Sequence, residues 1–278
     1  MKTRFVLINT SHAGNVGAAA RAMKTMGFTD LVLVAPRWAN VLRREETIQR
    51  ASGALDVLNN ARIVATLEEA LDGMSHLCAT AMTPRDFGPP TRTPRQHFEM
   101  LLKPELPALT DQALETDLAQ KSEEAGVAFL FGCERFGMTN EDVYHCHVAL
   151  SIPTDPQFGS LNLGAAIQVV AYEWRMAIGG FAGFSAYGGA ASAGNPAQTR
   201  PAPAPAPVSV RADAAQVAGM LTHWERALVE VGFLDPAAPK KLMPRLNQLF
   251  NRAQLLPEEV HILRGVAKAM IETAQAKR

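Results

Sequence analysis

Short runs of branched and aromatic residues alternate with helix-length stretches along the first 180 residues, and this alternation constrains the fold more than any other feature. "RFVLIN", "DLVLVAP", "HLCATAM", "VAFLFG" and "HVALSIP" are of strand length and apolar almost throughout. Between them lie "GNVGAAARAMKTMG", closed by Gly27, then "ETIQRASGALDVLNNA", "TLEEALDG", "QALETDLAQKSEEA" and "TNEDVYHC", which read as helices. The last of these takes Thr139 or Asn140 as its cap. Strands without a polar face, each followed by a helix, predict an α/β fold: a mainly parallel sheet with helices on both faces.

The pattern stops at Gly179 to Val210, where Gly, Ala and Ser give way to a Pro-Ala repeat typical of a spacer. Beyond it only helices are legible, roughly Ala212 to Val231, Pro239 to Arg252 and Pro257 to Ala276. The expected division is 1–180, a linker at 181–210, and a small all-helical extension at 211–278. A 47% hydrophobic content is enough to build a real core, and zero net charge gives no overall argument for a polyanionic partner. From residue 212 onward nine Lys/Arg face seven Asp/Glu, a slight basic excess. Three scattered cysteines without a CxxC, an N-terminus too weakly apolar for a signal peptide, and no membrane-length run lead to the expectation of a reduced, cytoplasmic setting without a membrane partner.

Several chemistries lack their sequence signatures. The first strand-to-helix turn supplies Gly14 and Gly17 but no G-x-G-x-x-G, and no acidic residue closes the second strand, so a nicotinamide site is poorly supported. No Walker A sequence occurs, and "FGSLN" is not the G-x-S-x-G of a serine hydrolase. His145 and His147 would share a face of a strand, yet no second ligand pair follows at a familiar spacing, so no metal is expected. What remains is three turns rich in glycine and polar residues, each at the end of a predicted strand: "SHAGNVGAAAR", "FGCERFGMTNED" and "PTDPQFGSLN". In open parallel sheets ligands bind where such strand ends gather. Taken singly, Gly132 and Gly137 read as turn residues, Glu134-Arg135 as a surface ion pair, and Ser160 as the cap of the helix that follows it.

In this order the segments "TSHAGNVGAAARAMKTMGF", "FLFGCERFGMTNEDV" and "SLNLGAAIQVVAYEWR" resemble the three motifs of the SPOUT RNA methyltransferases, and "LRGVAKAMIET" resembles the C-terminal helix of their TrmJ group. That group 2'-O-methylates cytidine or uridine 32 of the tRNA anticodon loop. The resemblance implies a trefoil knot at the end of the catalytic domain, a homodimer, tRNA as partner, and S-adenosyl-L-methionine as cofactor. It places cofactor contacts at Thr80, Ala81, Met82, Gly132, Ile152, Gly159, Ser160 and Leu161. It assigns catalytic positions to Arg21, Asn15 and Ser160. Ribosomal RNA or another tRNA position is the alternative substrate, and a non-catalytic RNA-binding dimerisation module is the alternative class.

Methyl transfer to a ribose hydroxyl requires positioning of the two reactants, removal of a proton and tolerance of a disappearing positive charge on sulfur. Arg21 suits a clamp on phosphate and on the developing oxyanion better than a base, because a guanidinium is effectively never neutral. Arg85, Lys240, Lys241 and Arg245 are the candidate RNA contacts, with Arg43, Arg44 and Arg252 as further cations.

Overall fold

The computed structural model describes residues 1–81, 83–102, 126–181 and 211–276. In chain order these form β1 (Lys2–Ile8), α1 (Ala13–Thr25), β2 (Asp30–Val34), α2 (Glu45–Ala51), α3 (Leu55–Asn60), β3 (Arg62–Val64), α4 (Leu67–Leu71), β4 (His76–Thr80), β5 (Thr91–Arg92), α5 (Pro94–Leu101), β6 (Gly126–Phe131), α6 (Asn140–Tyr144), β7 (Val148–Leu150) and α7 (Leu163–Ala177). Three further helices follow, α8 (Ala214–Glu230), α9 (Leu242–Ala253) and α10 (Pro257–Ala276). The expected helix at 112–125, most of the Pro-Ala spacer, and Met82 lie outside the described residues.

The seven strands form one sheet in the order β3-β2-β1-β6-β4-β7-β5, and every pairing among them is parallel. Side chains alternate across a strand, so each central strand feeds two cores. Phe5 and Leu7 of β1 join Phe129, Phe131, Phe98 and Trp174 on the face covered by α1, α5 and α7. Val6 and Ile8 join Val32, Val34, Leu77 and Leu130 on the other face, under α4 and α6. Burial on both sides is the reason these strands carry no polar alternation.

β7 is inserted between β4 and β5, although both precede it in the chain. The Ala149 amide donates to the Pro90 carbonyl at 3.0 Å and the Ser151 amide to the Arg92 carbonyl at 2.9 Å. β3 and β5, of three and two residues, are too short to have shown a pattern in the sequence.

The stretch expected as one helix over 46–61 is two, because the chain turns at Ser52 with φ of 52° before Gly53. α6 starts as expected at Thr139, whose hydroxyl and Asp142 form a reciprocal capping box. The helix expected to open at Ser160 begins instead at Leu163, capped by Asn162, whose Oδ1 accepts from the Gly164 amide at 2.9 Å. Ser160 is therefore not the cap.

The C-terminal helices pack Met220, Leu221, Phe250, Leu255 and Val260 into a core of their own. Polar contacts tie them to the sheet: the Ala214 amide donates to the Met74 carbonyl at 3.0 Å, and the Asn247 amide group to the Tyr144 carbonyl at 2.6 Å.

Candidate functional site

The site is built from loops that leave neighbouring strands at their C-terminal ends. β6 ends in Gly132, where an added Cβ would run into the backbone of Gly137 and Met138. The chain therefore folds back tightly, closed by the Gly137 amide on the Cys133 carbonyl at 2.8 Å, with Gly137 at φ of 69°. This turn aims Glu134 at the loop leaving β1 instead of pairing it with Arg135.

Glu134 is the hub of the site. Its Oε2 accepts from the Ser11 amide at 2.8 Å and the Ser11 hydroxyl at 2.6 Å. Its Oε1 accepts from the Asn15 side-chain amide at 2.8 Å and, at 3.4 Å, from the His12 backbone amide. Partial burial alone would raise this carboxyl, but the bonds from Ser11 and Asn15 outweigh it and hold its pKa below the ordinary glutamate value. Asn15 then accepts from the Asn162 side-chain amide at 3.0 Å. One hydrogen-bonded chain, Ser11–Glu134–Asn15–Asn162, thus joins all three motif loops. Neither Glu134 nor Asn162 stood out in the sequence. The only available signal was that each is a polar residue inside a turn already suspected of binding.

The strands β6, β4 and β7 are consecutive in the sheet, so the predicted cofactor residues Gly132, Thr80, Ala81 and Ile152 sit side by side at its edge. The Thr80 hydroxyl donates to the Leu130 carbonyl at 2.9 Å and the Ala81 amide to the Leu150 carbonyl at 3.0 Å, which fixes these ends to one another. Gly159 is half-buried, and Ser160 and Leu161 are exposed. Phe136 and Phe158 are 81% and 82% exposed on the flanking turns. Free main-chain groups beside exposed apolar side chains match the needs of an adenine-ribose cofactor, which has flat apolar faces and polar edges.

Arg21 is exposed on α1, six residues past Asn15 and so about 9 Å further along the helix. Arg85 is half-buried and donates to the Met138 carbonyl at 3.1 Å, so part of its guanidinium supports the Glu134 turn. Two residues on, Phe87 has φ of 61°, uncommon for a bulky side chain, and its ring lies 4.4 Å from Lys241 Nζ and 5.0 Å from Arg245 Cζ. Three of the four predicted RNA contacts are thereby gathered around one loop, with exposed Lys240 adjacent in sequence.

Three histidines cluster elsewhere. The His76 and His97 Nε2 atoms are 2.9 Å apart, and the His147 ring stacks on His76 with centroids 4.9 Å apart. Arg92 lies 3.4 Å from His97 Nδ1, which makes that nitrogen the acceptor and Nε2 the proton carrier toward His76. His147 Nδ1 accepts from the Leu77 amide at 3.1 Å. Burial, with help from Arg92, brings His97 down to about 4; burial, with help from Arg211, brings His147 down to about 4; burial also takes His76 well below the usual range. His76, His97 and Cys78 have donor atoms within 4.8 Å of one another. However, the two imidazoles aim at each other in a hydrogen bond rather than at a common point. His145, the other half of the histidine pair noted in the sequence, is not among these three.

A parallel sheet with three polar loops meeting at the ends of its central strands defines a class, and the chain belongs to the SpoU rRNA methylase family, which matches residues 2–172. Residues 215–278 match the C-terminal domain of tRNA methyltransferase TrmJ. The chain is 38% identical to the tRNA (cytidine/uridine/adenosine-2'-O-)-methyltransferase TrmJ of Pseudomonas aeruginosa, covering 100% of this chain and 95% of that protein. It is equally 38% identical to the tRNA (cytidine/uridine-2'-O-)-methyltransferase TrmJ of Cronobacter sakazakii, over 99% of this chain and 98% of the relative. Among solved structures, TrmJ from Z. mobilis superposes with a TM-score of 0.71 at 28% identity, covering 97% and 99% of the two chains. No helix among the described residues is long and apolar enough to cross a membrane.

Proposed function

We propose that this chain transfers a methyl group from S-adenosyl-L-methionine to the ribose 2'-OH of cytidine or uridine 32 in the tRNA anticodon loop. The observation that carries the reading is the Ser11–Glu134–Asn15–Asn162 chain, which links the three motif loops in a protein alike from end to end to tRNA 2'-O-methyltransferases. The cofactor supplies an electrophilic methyl on a sulfonium. Thr80, Ala81, Gly132, Ile152, Gly159, Ser160 and Leu161, together with Met82, are the residues that would hold it. Asn15, fixed from both sides, presents a rigid polar group at the start of α1. Arg21 clamps the neighbouring RNA phosphate and stabilises the ribose oxygen as charge develops on it. Ser160, released from capping duty, has its hydroxyl available to orient the ribose or the cofactor.

The cations around Phe87 extend the RNA-binding surface from the catalytic region into α9, where single-stranded loop nucleotides are recognised through backbone and 2'-OH contacts. Division at 1–180 and 211–278, a trefoil knot around the inserted β7, a cytoplasmic location and a homodimer belong to the same reading. The exposed Tyr172, Met176 and Ile178 of the α7 end offer apolar surface for a second copy.

The test is mass mapping of 2'-O-methyl groups on total tRNA incubated with protein and cofactor. A new methyl on cytidine or uridine 32 is expected. Methylation of ribosomal RNA alone, or of none, overturns the reading, and a methyl on adenosine widens the nucleoside range as the name of the Pseudomonas relative suggests.

A further inference from the structure

Removal of the ribose proton has no owner in the site as described so far. Arg21 stays protonated throughout the working pH range. Glu134 is occupied by four donors shared between its two oxygens, and those bonds stabilise its charged form, which makes it a poor proton acceptor. Asp155 turns its Oδ1 back onto the Gln157 amide at 2.7 Å and the Phe158 amide at 3.3 Å. Cys133 is half-buried in the Gly137 turn, and a thiolate there would compete for the methyl group as a stronger nucleophile than the ribose.

One titratable group remains in the three loops. His12 is the only histidine in residues 9–21, 132–139 and 152–164. It occupies the N-cap position of α1 in an extended conformation, with φ of −121° and ψ of 121°, and its imidazole forms no cap hydrogen bond. The side chain is exposed, while the backbone is held at both ends: the amide faces Glu134 Oε1 at 3.4 Å and the carbonyl accepts from the Asn15 amide at 3.2 Å. Glu134 thus fixes the backbone of His12 and the side chain of Asn15 together, leaving the imidazole free to meet a substrate. Imidazole is also the side chain that accepts protons near neutrality, where a general base is most effective.

We infer that His12 is the general base of the reaction, taking the 2'-OH proton of the target ribose while Arg21 stabilises the oxygen. This rests on the methyl-transfer reading above. The atoms balance: the O–H proton passes to an imidazole nitrogen, and the freed oxygen pair forms the O–CH3 bond. The pair of the breaking S–CH3 bond stays on sulfur and cancels its charge. The imidazolium then returns its proton to water.

The experiment uses the full chain, an anticodon stem-loop RNA and labelled methyl donor, with single-turnover rates read from pH 5.5 to 9. The wild-type rate should rise with pH through one deprotonation in the histidine range. His12→Ala and His12→Gln should lose that limb and fall by about 10²–10⁴-fold at neutral pH, with free imidazole partly restoring His12→Ala. A second readout needs no turnover. The His12 C2-proton resonance should shift differently with RNA carrying a ribose or a 2'-deoxyribose at the target nucleotide. Variants that keep the pH limb within about threefold of wild type, or a resonance blind to the 2'-OH, overturn the inference. A wild-type protein that methylates no RNA overturns the functional reading instead, so the two failures are distinguishable.

Discussion

At the scale of single residues, the main contrast is between Glu134 and Ser160. The Glu134 carboxylate satisfies donors on Ser11 and Asn15 and is partly buried, so exchanging it for an amide removes charge-assisted bonds and turns an NH2 group toward other donors. Glu134→Gln should therefore lower stability by about 1–3 kcal/mol and also slow methyl transfer at least about tenfold. Ser160 is exposed and is not the cap of α7. Ser160→Ala should leave the urea midpoint unchanged within error and reduce only turnover. Parallel urea melts and single-turnover assays of both variants check this. Equal losses of stability would show that Ser160 supports the fold after all.

At the scale of elements, the glycines of the first motif turn out to serve helix packing. A Cβ on Gly17 would strike the Thr47 carbonyl oxygen of α2 and lie 2.8 Å from the Ala51 amide nitrogen. Both are backbone atoms, so nothing but a shift of α2 makes room. Gly17→Ala, favourable for helix propensity alone, should nevertheless destabilise the protein by about 1–3 kcal/mol through overpacking. Chemical denaturation measures it, and a stabilised variant would mean that α2 moves freely. The same contact explains why α1 is so rich in small residues: it is sandwiched between α2 and the start of α7, where Gly164 meets Ala18.

At the scale of the molecule, the three stacked histidines join β4, α5 and the entry to β7, with Arg92 and Arg211 as the neighbouring charges. Their folded-state pKa values are depressed, to about 4 for His97 and His147, whereas an unfolded histidine titrates near 6.5. The unfolded chain then binds more protons between these limits. The contribution of the cluster is intact above about pH 6.5 and is lost as the pH falls toward about 4. Stability should drop over that window by about 1.4 kcal/mol per pH unit for each extra proton taken up. The urea midpoint followed against pH tests this. His97→Gln should flatten the slope, and an unchanged slope would remove the cluster as its cause.

The sequence by itself determined the order of strands and helices, the parallel character of the sheet, the capped start of α6 and the three loops that carry the chemistry. These are local properties: apolar runs, turn residues and caps act over a few neighbours, and each can be read where it stands. The break at Ser52, the two shortest strands and the true start of α7 were not legible. Asn162 and Ser160 are both good caps two residues apart, and local preference does not choose between them. The tertiary structure chose, because Asn162 also reaches Asn15, 147 positions away in the chain. It likewise turned Glu134 from a surface residue into the hub for Ser11, 123 positions distant, and placed β7 between two earlier strands. Such pairings arise only when the sheet brings remote strand ends together, and nothing in the spacing of residues along the chain encodes them.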